Sequence, residues 1–96
     1  MSDAPAPERS WTFLSNHGHV LVALSRDPSA RLRDIAAAVG ITERATQAIV
    51  RDLESAGYVT KVKVGRRNEY QLHPDRRLRH PGESGTPIRD LLGIFD

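Results

Sequence analysis

Arg44, Gln47 and Arg51 recur at i, i+3 and i+7, so on a helix they form one outward stripe. Their side chains suit the edges of nucleic-acid bases. An arginine fork bonds guanine O6 and N7, and a glutamine amide bonds adenine N6 and N7. Ala48 stands beside them. It is small enough to let a helix come close, and its methyl can touch that of a thymine. The major groove of B-DNA is about 12 Å wide and admits such a helix. The other residues with reactive side chains are less organised. His17 and His19 form an H-x-H, but on a helix i and i+2 point about 200° apart, so they cannot share a metal. His73 and His80 fall in or beside a loop. Asp34 and Asp52 read as a helix-start residue and as the ion-pair partner of a nearby arginine. No Ser/His/Asp grouping has supporting context, and there is no Gly-rich phosphate loop. We expect neither an enzyme nor a metal or cofactor site.

The stripe needs a helix whose opposite face is buried. Ile41, Ala45, Thr46, Ile49, Val50 and Leu53 recur at helical spacing and supply that face. Thr42 is a good N-cap, Glu43 sits in the first turn, and Gly57 closes the helix. A shorter helix precedes it, opened by Arg33 or Asp34, buried along Ile35, Ala36 and Val39, and closed by Gly40. Two helices joined by a Gly-centred turn of a few residues are a helix-turn-helix signature. Thr42 and the N-terminus of the second helix can hold a phosphate.

Around this pair the chain changes character several times. Met1 to Ser10 is Pro-, Ala- and Ser-rich, a tail expected to be disordered. Trp11 to Ser25 is a helix, capped by Thr12 or Ser15 and stopped before Asp27-Pro28. Arg31 and Leu32 are too few for a strand of their own but can pair with a hairpin edge. From Tyr58 to Val64, Val62 and Val64 alternate with Lys61 and Lys63, a strand with one wet face. Gly65 to Asn68 is a turn, and Glu69 to Leu72 returns with Tyr70 and Leu72 on one face. The hairpin therefore has a basic tip, Arg66 and Arg67, placed to reach the DNA backbone or a neighbouring minor groove, with Lys61 and Lys63 on phosphates. A loop runs over 74–85. Thr86-Pro87 then opens a last helix over 86–96 with a stripe of Ile88, Leu91, Leu92 and Phe95. That stripe either packs on its own domain or crosses a dimer interface. Trp11, Phe13 and Leu14 are its complement in both cases.

Composition agrees with a small binding module. Ninety-six residues make one domain with one small core. The net charge is +2, but residues 58–80 hold seven Lys and Arg against two acids. Such a basic block favours a polyanionic partner. There is no cysteine, no apolar leader, and no run near the ~18 residues of a membrane span. We expect a soluble, cytoplasmic protein with no membrane partner.

The run from Asp34 to Val59, followed by a strand, Gly65-Arg66-Arg67-Asn68 and Glu69 to Leu72, resembles the winged helix-turn-helix of MarR- and ArsR-type regulators. The resemblance covers residues 11–73. Leu53 to Val59 and Gly65 to Asn68 are its most specific parts. It implies an α+β, mostly α fold: a three-helix core, a β-hairpin wing and a short C-terminal helix, in the order α-(β)-α-α-β-β-α. It also implies a homodimer on a two-fold operator. Thr42 to Arg51, Glu43 included, would be the recognition helix, and Lys63 to Asn68 the wing. Two features depart from those types. The flanks that build the MarR dimer and effector pocket are short here, and the cysteines of ArsR metal sensors are absent. The partner expected is double-stranded DNA, and no small-molecule effector is specified. The alternative is a winged helix that docks another protein through the same face. Such a surface needs aromatic anchors, and the stripe has none.

Overall fold

The computed structural model describes residues 11–95. The tail expected at Met1–Ser10 lies outside them, as does Asp96. Three helices come first: α1 (Asn16–Arg26), α2 (Leu32–Val39) and α3 (Glu43–Ser55). Strands β1 (Val59–Val64) and β2 (Arg67–Leu72) follow, and then α4 (Ile88–Gly93). This is the winged helix-turn-helix expected, mostly helical.

α1 starts later than its apolar pattern suggests. Ser15 takes the cap, its hydroxyl accepting from the Gly18 amide at 3.3 Å. Thr12 instead closes a local turn onto the Leu14 carbonyl (2.6 Å), which holds residues 11–14 out of the helix. At the other end Pro28 keeps Asp27 out of α geometry (φ −144°, ψ 89°).

Arg31 and Leu32 form no edge strand. Arg31 is the N-cap of α2 and Leu32 its first residue, earlier than the start expected at Arg33 or Asp34. The link to the hairpin comes sooner in the chain, where the Tyr70 amide donates to the Pro28 carbonyl at 3.0 Å. The sheet itself has two strands. Gly40 ends α2 at φ +87°, a left-handed conformation that allows the abrupt turn into α3.

α3 is capped as its sequence demands, with Thr42 Oγ1 accepting from the Ala45 amide at 3.0 Å. Thr42→Ala should cost about 1 kcal/mol of stability, read as a lower urea midpoint. Thr46 is fully buried (0% exposed), and its hydroxyl is satisfied by the Thr42 carbonyl at 2.9 Å. The core joins Val20, Leu21 and Leu24 of α1 to Ile35, Ile49, Val50 and Leu53. Tyr58, Val59 and Tyr70 enter it from the hairpin root, and Ile88 and Leu92 from α4. Burial, and then the Glu54 carboxylate, raise the Tyr70 phenol above its ordinary value, so this ring enters the core neutral.

The hairpin turn is tighter than Gly65–Asn68. Val64 pairs with Arg67, which leaves Gly65-Arg66 as a two-residue loop. Gly65 has φ +62° and Arg66 does not share the positive φ, as a type II′ turn requires. The strand faces also differ from the reading by alternation. Directly paired residues share a face. Val59 pairs with Leu72 and Lys61 with Tyr70, so the core-side face runs outward through Lys61, Lys63 and Asn68. Val62 (41% exposed) and Val64 (50%) lie on the opposite face, in solvent. Buried Val59 fixes the parity, and with a period of two every later residue follows.

The 74–85 loop is tied down more than its composition suggests. Tyr58 Oη donates to the Arg77 carbonyl (2.5 Å), the Leu78 amide to the Thr86 carbonyl (3.0 Å) and the Ile88 amide to the Arg76 carbonyl (2.8 Å). Arg77 and Pro87 form an isolated bridge, and a 3-10 turn covers Pro81–Glu83. That bridge holds Pro87 extended, so α4 begins at Ile88 with Pro87, not Thr86, as N-cap. The C-terminal stripe packs on its own domain: Ile88 and Leu92 are buried, while Leu91 and Phe95 are half-buried.

Candidate nucleic-acid interface

α3 divides cleanly by side. Thr46, Ile49, Val50 and Leu53 are buried, and Arg44, Gln47, Ala48 and Arg51 are exposed. Thr42 and Glu43 are also exposed, at the N-terminal end. Thr42 Oγ1 accepts from the helix, which leaves its hydroxyl hydrogen able to donate to a phosphate.

Among the described residues the guanidinium groups of this face stand in no ion pair. The carboxylates that meet a basic side chain among the described residues are Asp52, bonded to His17, and Asp75, paired with Arg89, and neither contact includes Arg44 or Arg51. The arginine partner expected for Asp52 is replaced by His17 of α1, at 2.8 Å. Asp52 lies about 100° around the helix from Arg51, on the side that faces α1. The pair thus braces α3 from behind. Arg76 braces its C-terminal end, donating from Nε to the Ala56 carbonyl at 3.1 Å. An α-helix of 13 residues is about 20 Å long and about 10–12 Å across with its side chains, dimensions that suit the major groove.

The wing splits its cations between two roles. Lys61, Lys63 and Arg66 are exposed and stand in no ion pair among the described residues. Arg67 is not at the tip. It begins β2, and its Nη2 donates to the Ser29 carbonyl at 2.9 Å. Ser29 Oγ in turn donates to Glu69 Oε2 at 3.0 Å. These two bonds staple the wing to the α1–α2 connection. Ser29 escaped the sequence reading because it lies 38 and 40 residues from its partners. Asn68 is exposed and pairs with Lys63 across the strands.

Each histidine has a hydrogen-bond partner of its own. His17 bonds Asp52, His19 meets Thr12 Oγ1 (3.1 Å), and His73 meets Thr60 Oγ1 (2.6 Å). His80 caps the 3-10 turn, accepting from the Gly82 amide. Among the described residues no helix is long and apolar enough to cross a membrane.

Residues 15–60 match the model of a family described as winged helix-turn-helix DNA-binding. The matched segment runs from the cap of α1 into β1 and contains all of α3. It supports a DNA-binding regulator. The match is at the level of the winged helix-turn-helix and says nothing of a MarR or ArsR type. No curated protein matches the chain.

Proposed function

We propose that this chain binds double-stranded DNA sequence-specifically as a transcriptional regulator, in the manner of the MarR and ArsR types. It acts in the cytoplasm as a homodimer on a two-fold symmetric site, and it represses by occupying that site. The observation that carries this reading is the exposed stripe of Arg44, Gln47 and Arg51, in no ion pair among the described residues, on a helix capped by Thr42 and braced near its C-terminal end by His17 and Arg76. α3 reads the major groove through that stripe and Ala48. Thr42 and the α3 N-terminus hold a phosphate, and Glu43 orients the first turn beside it. Lys61, Lys63 and Arg66 contact the backbone, while Arg67 and Asn68 set the wing. Docking of another protein through the α3 face gains no support, because that face carries no aromatic anchor.

A salt titration on random duplex tests the DNA partner. Affinity should fall linearly on logarithmic axes, and Arg66→Ala should flatten the slope by about 0.9 for one lost phosphate contact. It should weaken all sequences alike. A chain that binds no duplex even at low ionic strength would sink the reading.

A further inference from the structure

The α3 stripe leaves an opposite feature unused. Trp11 and Phe13 are among the most exposed apolar side chains, at 75% and 93%. Their rings hold each other edge to face, with centroids 5.0 Å apart and planes at 88°. The pair is thus organised, yet nothing in its own chain covers it among the described residues. Beside it opens a cleft of about 590 Å³ between α1, the C-terminal half of α3, the 78–83 loop and α4. Its apolar wall includes Leu14, Leu21, Leu53, Tyr58, Ile88 and Leu91. Phe13 borders this cleft, but its exposure shows that the ring stands out of it.

We propose that the cleft is filled by the Trp11–Phe13 pair of a second copy, reciprocally, in a two-fold dimer. The proposal rests on the homodimer part of the reading above and not on its DNA-binding part. Three observations select a second copy as the occupant. First, knob and hole lie on one surface, and a two-fold contact requires one patch to complement itself. Second, the cleft is bordered by both Arg79 and Glu83, and neither joins an ion pair among the described residues. Across a dyad each faces the other's counterpart. A charged small ligand or a partner of one sign would meet repulsion from one of them. Third, the area suffices. Four aromatic rings bury roughly 600–1,000 Å² at about 150–250 Å² each. The cleft walls they cover bring the total to the roughly 1,200 Å² of a stable interface. The cleft volume also suits two rings, lying within the about 300–1,000 Å³ of pockets that enclose drug-sized groups.

Trp11 is the only tryptophan of the chain, so its fluorescence reports on its own burial. The full chain is sedimented over a concentration series while tryptophan emission is recorded. Emission should move to shorter wavelength in step with the appearance of dimer. The double variant Trp11→Ala/Phe13→Ala should stay monomeric at concentrations where the parent is dimeric. Leu91→Lys, which places a charge in the cleft, should do the same with its Trp11 emission left red. Adding the first variant to the second should restore part of the blue shift. The mixed dimer unites one intact knob with one intact hole, and a merely misfolded chain would not respond.

A Trp11→Ala/Phe13→Ala chain that dimerises like the parent overturns the proposal. So does emission independent of concentration, whether Trp11 stays wet or is covered within its own chain. If the parent forms dimers with Trp11 exposed, this proposal fails and the homodimer stands. If the parent is monomeric throughout, both fail, and DNA binding is judged by the salt titration alone.

Discussion

Gln47→Ala and Arg44→Ala should each lower affinity for the preferred DNA site by about 1–3 kcal/mol, roughly 5- to 150-fold. The reason is geometric. Both side chains project from the exposed face of α3, and a lost bidentate contact leaves a base edge unsatisfied at one position. Gln47→Ala is the cleaner of the two. Glutamine carries no charge, so binding to random duplex and its salt slope should stay as in the parent while preference at one base pair relaxes. Arg44→Ala removes a charge as well and should weaken random binding slightly. Neither residue touches the core, so thermal unfolding should be unchanged in both. Competition binding against duplexes varied one base pair at a time would read this directly. Equal loss on every sequence would mean that Gln47 contacts no base.

Ile88→Ala should cost about 2–5 kcal/mol of folding stability, the range for emptying a fully buried aliphatic site. Small domains have about 5–15 kcal/mol in total, so this is a large share. Ile88 is 1% exposed, and its amide bonds the Arg76 carbonyl at 2.8 Å. α4 has six residues, too few to form a helix unaided. It exists because Ile88 and Leu92 enter the core built by α1, α3 and the hairpin root. Urea unfolding should shift its midpoint with no change in slope, one cooperative transition being retained. A detachable dimerisation arm would behave differently. Its truncation would alter the mass of the oligomer and leave the monomer's midpoint in place.

What could be read from the sequence was local. The Thr42 cap, the Gly40 turn and the i, i+3, i+7 spacing of Arg44, Gln47 and Arg51 are set by neighbours within a few residues. Each was found where local chemistry placed it. The misread side-chain partners are long-range ones, while the starts of α1, α2 and α4 differ by a few residues. Val62 and Val64 looked like a buried face, but Val59 at the hairpin root decided which side met the core. Asp52 looked like the partner of a nearby arginine, and instead found His17, 35 residues earlier. Arg67 looked like a tip residue, but Ser29, 38 residues away, holds its guanidinium. The start of α1 turned on a competition between Thr12 and Ser15 that their shared propensity does not decide. Ile88 and Leu92 of the C-terminal stripe enter the chain's own core, while Trp11 and Phe13, expected as the complement of that stripe, stand exposed and are assigned to a second copy in the dimer proposed above.

Selection of binding sites from a pool of random duplex DNA, run side by side for the parent and for Gln47→Ala, tests the central claim most directly. The parent should enrich a two-fold symmetric motif. Gln47→Ala should enrich the same motif with information lost at one position of each half-site. A parent pool without any enriched motif, or an identical motif from both proteins, would contradict base reading by α3.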